Sequence, residues 1–173
     1  MSDGIQQAQD QRNFLERLVD KIPGFKGFQN RELRRDVDKL QREHLSEELE
    51  RLKGAAREKA RAFTDAGEIA VLGVFDRLDR RLDGLSQAIR FADYGQSGFF
   101  DAVKVGEAEL ERLYQFDLSL LDDLAAIGSA IAALPSPGGD GARAAVDELL
   151  RQVGDLDQKW ARRKTVVSEV VQT

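Results

Sequence analysis

Apolar residues recur at steps of three and four along most of this chain, and that period narrows the fold sharply. Leu110, Leu113, Leu120, Leu124, Ile127, Ile131 and Leu134 fall at heptad spacing, and Val146, Leu149, Val153, Leu156 and Trp160 repeat the pattern. A helix closes a turn every 3.6 residues, so such a set gathers on one face; a strand would scatter it over two. No segment alternates apolar and polar residues as a half-buried strand does. Only 3 prolines interrupt 173 residues, 33% of them charged, so long helices can run unbroken. The fold class predicted is all-α.

The breaks between helices follow from turn chemistry. An amphipathic helix is expected over about residues 6–21, with Phe14, Leu15, Leu18 and Val19 on one face, ended by Pro23 and Gly24. Asn30 is a suitable N-cap for the next helix, and Glu32 lies in its first turn, where the dipole favours an acid. Its apolar stripe runs through Leu33, Val37, Leu40, Leu45, Leu49, Leu52, Ala56, Ala60 and Phe63, drifting near His44 where one step is five. Asp38–Arg42, Lys39–Glu43 and Glu47–Arg51 stand four apart and are expected to brace an exposed face. Asp65 with Glu68 reads as a capping box, and Gly67 weakens a continuous helix, so a turn is expected after Phe63. One bent helix through Phe91 is the competing reading.

A third helix then carries Leu72, Phe75, Leu78, Leu82, Leu85 and Ile89, and DYGQSGFF follows at residues 93–100 as a glycine–aromatic loop. The fourth helix is expected from about Ala102 to Leu134, the PSPGGDG linker at Pro135–Gly141, and a last helix beyond it. Val166, Val167, Val170 and Val171 lower helix propensity near the end. Residues 1–29 therefore form an N-terminal amphipathic helix and loop, and residues 30–173 an antiparallel up-down four-helix bundle, one domain overall. Helices of roughly 28–34 residues would be rods of about 42–50 Å.

Composition excludes several kinds of chemistry. With no cysteine there is no disulfide, thiol nucleophile or cysteine-ligated metal. His44 is the single histidine, which rules out the paired Glu-x-x-His ligands of di-iron bundles. Asp76, Asp79 and Asp83 lie on adjacent turns and could ligate Mg²⁺ or Mn²⁺, but Arg77, Arg80 and Arg81 interleave them and favour a salt-bridged surface. The PGFKGF segment lacks the Gly-Lys-Ser/Thr ending of a P-loop, and GGDG follows no strand. The reading is non-enzymatic, with no cofactor and no metal, and a carboxylate-metal enzyme is a distant alternative. Asp117 falls in the apolar stripe between Leu113 and Leu120. It either rotates to the flank and meets water, or is buried, in which case it needs an arginine or several donors and can set helix register.

Charge and length shape the expected partners. A net charge of −5 argues against nucleic acid. Residues 101–134 hold Asp101, Glu107, Glu109, Glu111, Asp117, Asp122 and Asp123 against Lys104 and Arg112, whereas residues 29–63 have a slight basic excess. These two surfaces are expected to face one another inside the bundle. No run reaches the roughly 18 apolar residues that span a bilayer. The first 20 residues are polar, with Asp3, Asp10, Glu16 and Asp20, so a cytoplasmic protein without a secretory signal is expected.

What remains is a pair of aromatic loops. Phe25 and Phe28 lie in the first, and Tyr94, Phe99 and Phe100 in the second. In an up-down bundle two helical passes separate them, which brings both to one end. Either they close that end as an apolar lid, or they present a docking surface. The binding residues expected are Phe25, Phe28, Arg34, Arg35, Tyr94, Phe99 and Phe100, acting with the acidic fourth helix on a protein partner. Peripheral contact with lipid through residues 5–22 and their flanking basic residues is the alternative. Leftover apolar stripe could also pair two copies of the chain.

The residues Ile22, Pro23, Gly24, Phe25, Gly27, Phe28, Glu32, Arg34 and Arg35 carry a resemblance. The segment is similar to one found in uncharacterised bacterial helical-bundle proteins, which read Ile-Pro-Gly-aromatic-x-Gly-aromatic before a Glu-x-Arg-Arg-like helix start. The likeness covers about 20 residues and implies a genuine helical domain without implying an activity.

Overall fold

The computed structural model describes residues 16–24, 31–92 and 107–172, and among them all regular structure is helical. Residues 16–21 form the short helix α1. Four long helices follow: α2 over Arg31–Asp65, α3 over Leu72–Arg90, α4 over Glu107–Ala132 and α5 over Ala142–Gln172. They span 35, 19, 26 and 31 residues, so α3 is much shorter than the near-equal rods expected. The lost length lies in the turn before it.

That turn also corrects the expected capping box. Asp65 closes α2 instead of opening the next helix, and Gly67 takes a positive φ of 76°, which ends the helical path. A 3-10 turn over Ile69–Val71 leads into α3, and Glu68 caps neither element with its side chain. Its carboxylate instead accepts a hydrogen bond from the Gly138 backbone N–H, tying this turn to the α4–α5 linker.

The stripes read from sequence meet in one core. Leu45, Leu49, Leu52 and Phe63 of α2 pack with Leu78, Leu82 and Ile89 of α3, Leu113, Leu120, Ile127 and Ile131 of α4, and Val146, Leu149 and Val153 of α5. Phe63 and Phe75 place their ring centroids 5.7 Å apart near the Asp65 end. Leu18 of α1 and Ile22 just after it are fully buried in the same core. At about 1.5–3 kcal/mol per fully buried aliphatic side chain, these residues dominate the favourable energy of folding.

Cross-helix contacts set the directions. Arg57 bonds Asp79 (2.9 Å), Lys53 bonds Asp83 (2.7 Å) and Ser46 meets Ser86 (3.0 Å), so α2 and α3 run antiparallel. Lys159 with Asp123 (2.5 Å) and Arg163 with Asp117 (2.8 Å) make α4 and α5 antiparallel as well. Between these hairpins the sense differs. Lys59 bonds the Ala132 carbonyl (3.2 Å) and Gly128 sits against Leu52, so α2 and α4 ascend together. Arg77 with Asp147 and Arg81 with Asp157 show the same for α3 and α5. In space α2 neighbours α3 and α4, while α5 neighbours α4 and α3.

Two further expectations about charge change. Asp38 and Arg42 do not brace an exposed face; both are buried. Arg51 pairs with Glu48, one helical step nearer than Glu47. The acids of α4 find partners on α5 and α1 in preference to basic α2: Asp117 takes Arg163, Asp123 takes Lys159, and Asp122 takes Lys21 and Arg17. Lys53 and Arg57 of α2 turn toward Asp83 and Asp79 of α3 instead. Helix rotation about its own axis decides this, and net charge along a segment does not encode it.

Candidate functional site

The distinctive polar feature lies where α2 begins, α3 ends, α4 begins and α5 ends. Asp117 on α4 is completely buried, and Arg163 on α5 is 3% exposed. The guanidinium Nε donates to Asp117 Oδ1 at 2.8 Å and Nη2 to Oδ2 at 3.3 Å, a two-point grip on one carboxylate. Arg163 Nη1 donates to Asp38 Oδ1 on α2 at 2.8 Å, and Nη2 also reaches Gln41 Oε1 at 3.2 Å. Arg42 Nε then donates to the other oxygen of Asp38 at 2.9 Å. Three helices are joined by one chain of charge-assisted bonds. Trp160, one turn before Arg163, sets its ring 5.4 Å from the guanidinium carbon.

The cluster reaches the fourth helix through the backbone. Arg42 Nη1 donates to the carbonyls of Arg90 and Ala92, each at 3.3 Å. Arg90 is the last residue of α3 and Ala92 lies just beyond it, so an arginine of α2 holds the chain where α3 ends. The base of the first loop is also placed: Ile22 is buried, and Gly24, at φ 81°, lies against Leu40 of α2. A side chain at Gly24 would be strained by that dihedral whatever space surrounds it.

Electrostatics in the cluster follow from burial. Removal from water pushes the Asp117 carboxyl above the usual carboxylate range, and Arg163 and Gln41 oppose that push. Burial works against the charge on Arg163, yet Asp117 and Asp38 together hold its proton more tightly than usual. Near the surface the balance reverses. Bonds from Arg151 and Gln152 bring Glu148 down to about 2, and Arg57 lowers Asp79.

Phe25, Phe28, Tyr94, Phe99 and Phe100 lie outside the described residues, as does Asn30; Arg34 and Arg35 belong to α2, but their side chains also lie outside the description. Asp117 resolves in favour of burial with an arginine. Arg163 was missed as its partner, and Asp38 and Gln41 as the other groups that Arg163 bonds. Asp38 carried one signal, since it sits one residue after Val37 in a drifting stripe; Arg163 carried none beyond its helix. His44 is half-buried and lines an open groove of about 240 Å³ between α1, α2 and α4, with Lys21, Glu48, Arg51 and Leu121. Asp79 and Asp83 are ion-paired to Arg57 and Lys53. Among the described residues no group of three or more histidine or acidic side chains is placed to hold a metal, and no helix is long and apolar enough to cross a membrane. Comparison of the chain with known families, curated proteins and solved structures found no match.

Proposed function

We propose that this protein is a non-enzymatic, cytoplasmic binding module: an up-down four-helix bundle, with α1 as an added strap, that displays two loops to a protein partner. The observation carrying this reading is the pair of hydrogen bonds that Arg42 Nη1 donates to the Arg90 and Ala92 carbonyls. It fixes the root of one loop to the helix that the other loop feeds. A surface with fixed roots loses less freedom on binding than one on free loops. Phe25, Phe28, Tyr94, Phe99 and Phe100 supply the aromatic contact area, and Arg34 and Arg35 a basic rim.

The test uses the full chain with a photo-crosslinking residue at Phe99, in cells and in purified form. A discrete cross-linked protein, lost when Phe25→Ser/Phe28→Ser is introduced at unchanged melting temperature, is the expected result. If that double variant instead melts well below the parent, the rings are a structural lid and the reading fails. Flotation of the parent, but not the variant, with anionic vesicles would also overturn it in favour of lipid.

A further inference from the structure

The open groove of about 240 Å³ between α1, α2 and α4 combines an apolar floor with a cationic rim. Leu121 and Leu124 of α4 are buried beneath it, and the exposed Ala125 adds only a methyl group. The wall on α2 is polar: His44, Glu48 and Arg51 stand on successive turns of one face. His44 and Arg51 are two turns apart, about 10 Å along the helix axis. Lys21, at the end of α1, completes the lining. Gly24 lies against Leu40, one turn before His44, so Lys21 enters from the His44 end. Drug-sized sites run to roughly 300–1,000 Å³, so this groove suits a smaller molecule.

The charges of the lining favour an anion. Lys21 and Arg51 are cationic and Glu48 is anionic, a surplus of one cation in a chain whose net charge is −5. Arg51 turns Nε and Nη2 onto a single Glu48 oxygen, at 3.1 and 2.7 Å, which offsets the carboxylate's repulsion of a second anion. Lys21 gives one N–H to Asp122 at 3.0 Å, and an ammonium has two more. His44 adds a ring N–H and makes no hydrogen bond to another described residue. Glu47 is exposed and does not line the groove.

We propose that this groove binds a small monocarboxylate with an unbranched apolar body. Its carboxylate is held by Lys21 and His44, and its chain lies over Leu124 and Ala125 toward the aliphatic stem of Arg51. One surplus cation matches one anionic charge. A bare anion such as phosphate would leave the apolar floor uncovered. None of these residues belongs to either aromatic loop, so the site stands apart from the partner-binding surface.

The full chain is titrated with sodium hexanoate at constant ionic strength, and backbone amide NMR shifts are followed. The expected result is a saturable shift centred on Lys21, His44, Leu124 and Ala125. Acetate, which lacks the apolar chain, and hexanamide, which lacks the charge, each bind at least about tenfold more weakly. Lys21→Met keeps the apolar stem but removes the charge, and weakens hexanoate at least about fivefold without changing hexanamide. Ala125→Leu fills the groove from an exposed helix position and abolishes binding of both. Arg77→Gln removes a cation on the α3–α5 side and changes neither. The proposal is overturned if hexanoate shows no saturable shift at millimolar concentration, or if hexanamide or inorganic phosphate binds as tightly. It is equally overturned if Arg77→Gln weakens hexanoate as much as Lys21→Met does. Should Ala125→Leu lower the melting temperature, the Lys21→Met comparison decides alone.

Discussion

Arg163 grips Asp117 through two nitrogens, across 46 residues of sequence, at a point where neither side chain meets water. Desolvating two such charges costs several kcal/mol each, and their attraction only roughly offsets that cost. The pair is therefore a weak source of net stability and a strong constraint on register. Arg163→Ala leaves Asp117 buried without its main partner and is expected to cost about 3–5 kcal/mol in urea unfolding. Asp117→Leu/Arg163→Leu, which removes both charges, is expected to lie within about 1–2 kcal/mol of the parent or above it. A double variant as damaged as the single one would show that the pair itself stabilises the fold.

The parallel contact between α2 and α4 depends on a small residue. A Cβ at Gly128 would stand 3.1 Å from Leu52 Cδ2. Gly128→Ala is expected to be nearly neutral, since a gain in helix propensity of up to about 1 kcal/mol offsets the crowding. Gly128→Leu forces the helices apart and is expected to cost about 1–3 kcal/mol. Thermal melts of both variants separate the two effects.

The α2–α3 turn and the α4–α5 linker are joined by the Glu68 carboxylate, which accepts from the Gly138 N–H. Glu68→Ala is expected to lower stability by about 1 kcal/mol, with Glu68→Gln recovering part of it. Faster amide exchange at Gly138 in the alanine variant is the local readout.

Acid sensitivity separates the surface carboxylates from Asp117. Asp79 and Glu148 have folded pKa values below their unfolded ones, so the stability they add is present above the unfolded value and lost as pH falls through the folded one. For Glu148 that loss runs from the ordinary range down to about 2. Asp117 has the opposite sign: the folded state binds its proton more readily, so stability falls as pH rises through its raised value. Arg57→Leu, which frees Asp79, is expected to shrink the stability difference between pH 6 and pH 2.5 measured in urea. An unchanged difference would mean that the Arg57–Asp79 bond does not persist in solution.

Helix α1 is anchored by Leu18 and by Ile22 just after its end, one turn on, both fully buried. Its flanking ion pairs to Asp122 are half exposed and add little. Leu18→Ala is therefore expected to cost about 2–5 kcal/mol, while Lys21→Ala costs less than about 1 kcal/mol. Chemical unfolding of the two variants checks the order.

Helical class, the turn after Phe63, the linker before α5 and the core stripes were legible in the sequence because each depends on neighbours within a turn or two. Leu78, Leu82, Val146 and Leu149 had to face inward wherever their helices went. Asp117 was legible as a question, since an acid in an apolar stripe must find a cation or leave the stripe. The answer came from Arg163, and nothing local to either residue names the other. Periodicity fixes which face of a helix is buried; it leaves open which helix lies opposite and how each is rotated. Tertiary packing set the rest: parallel neighbours between the hairpins, Glu68 bonding across two turns, and the acids of α4 meeting α5 and α1. These are long-range contacts, selected by how four stripes fill one core.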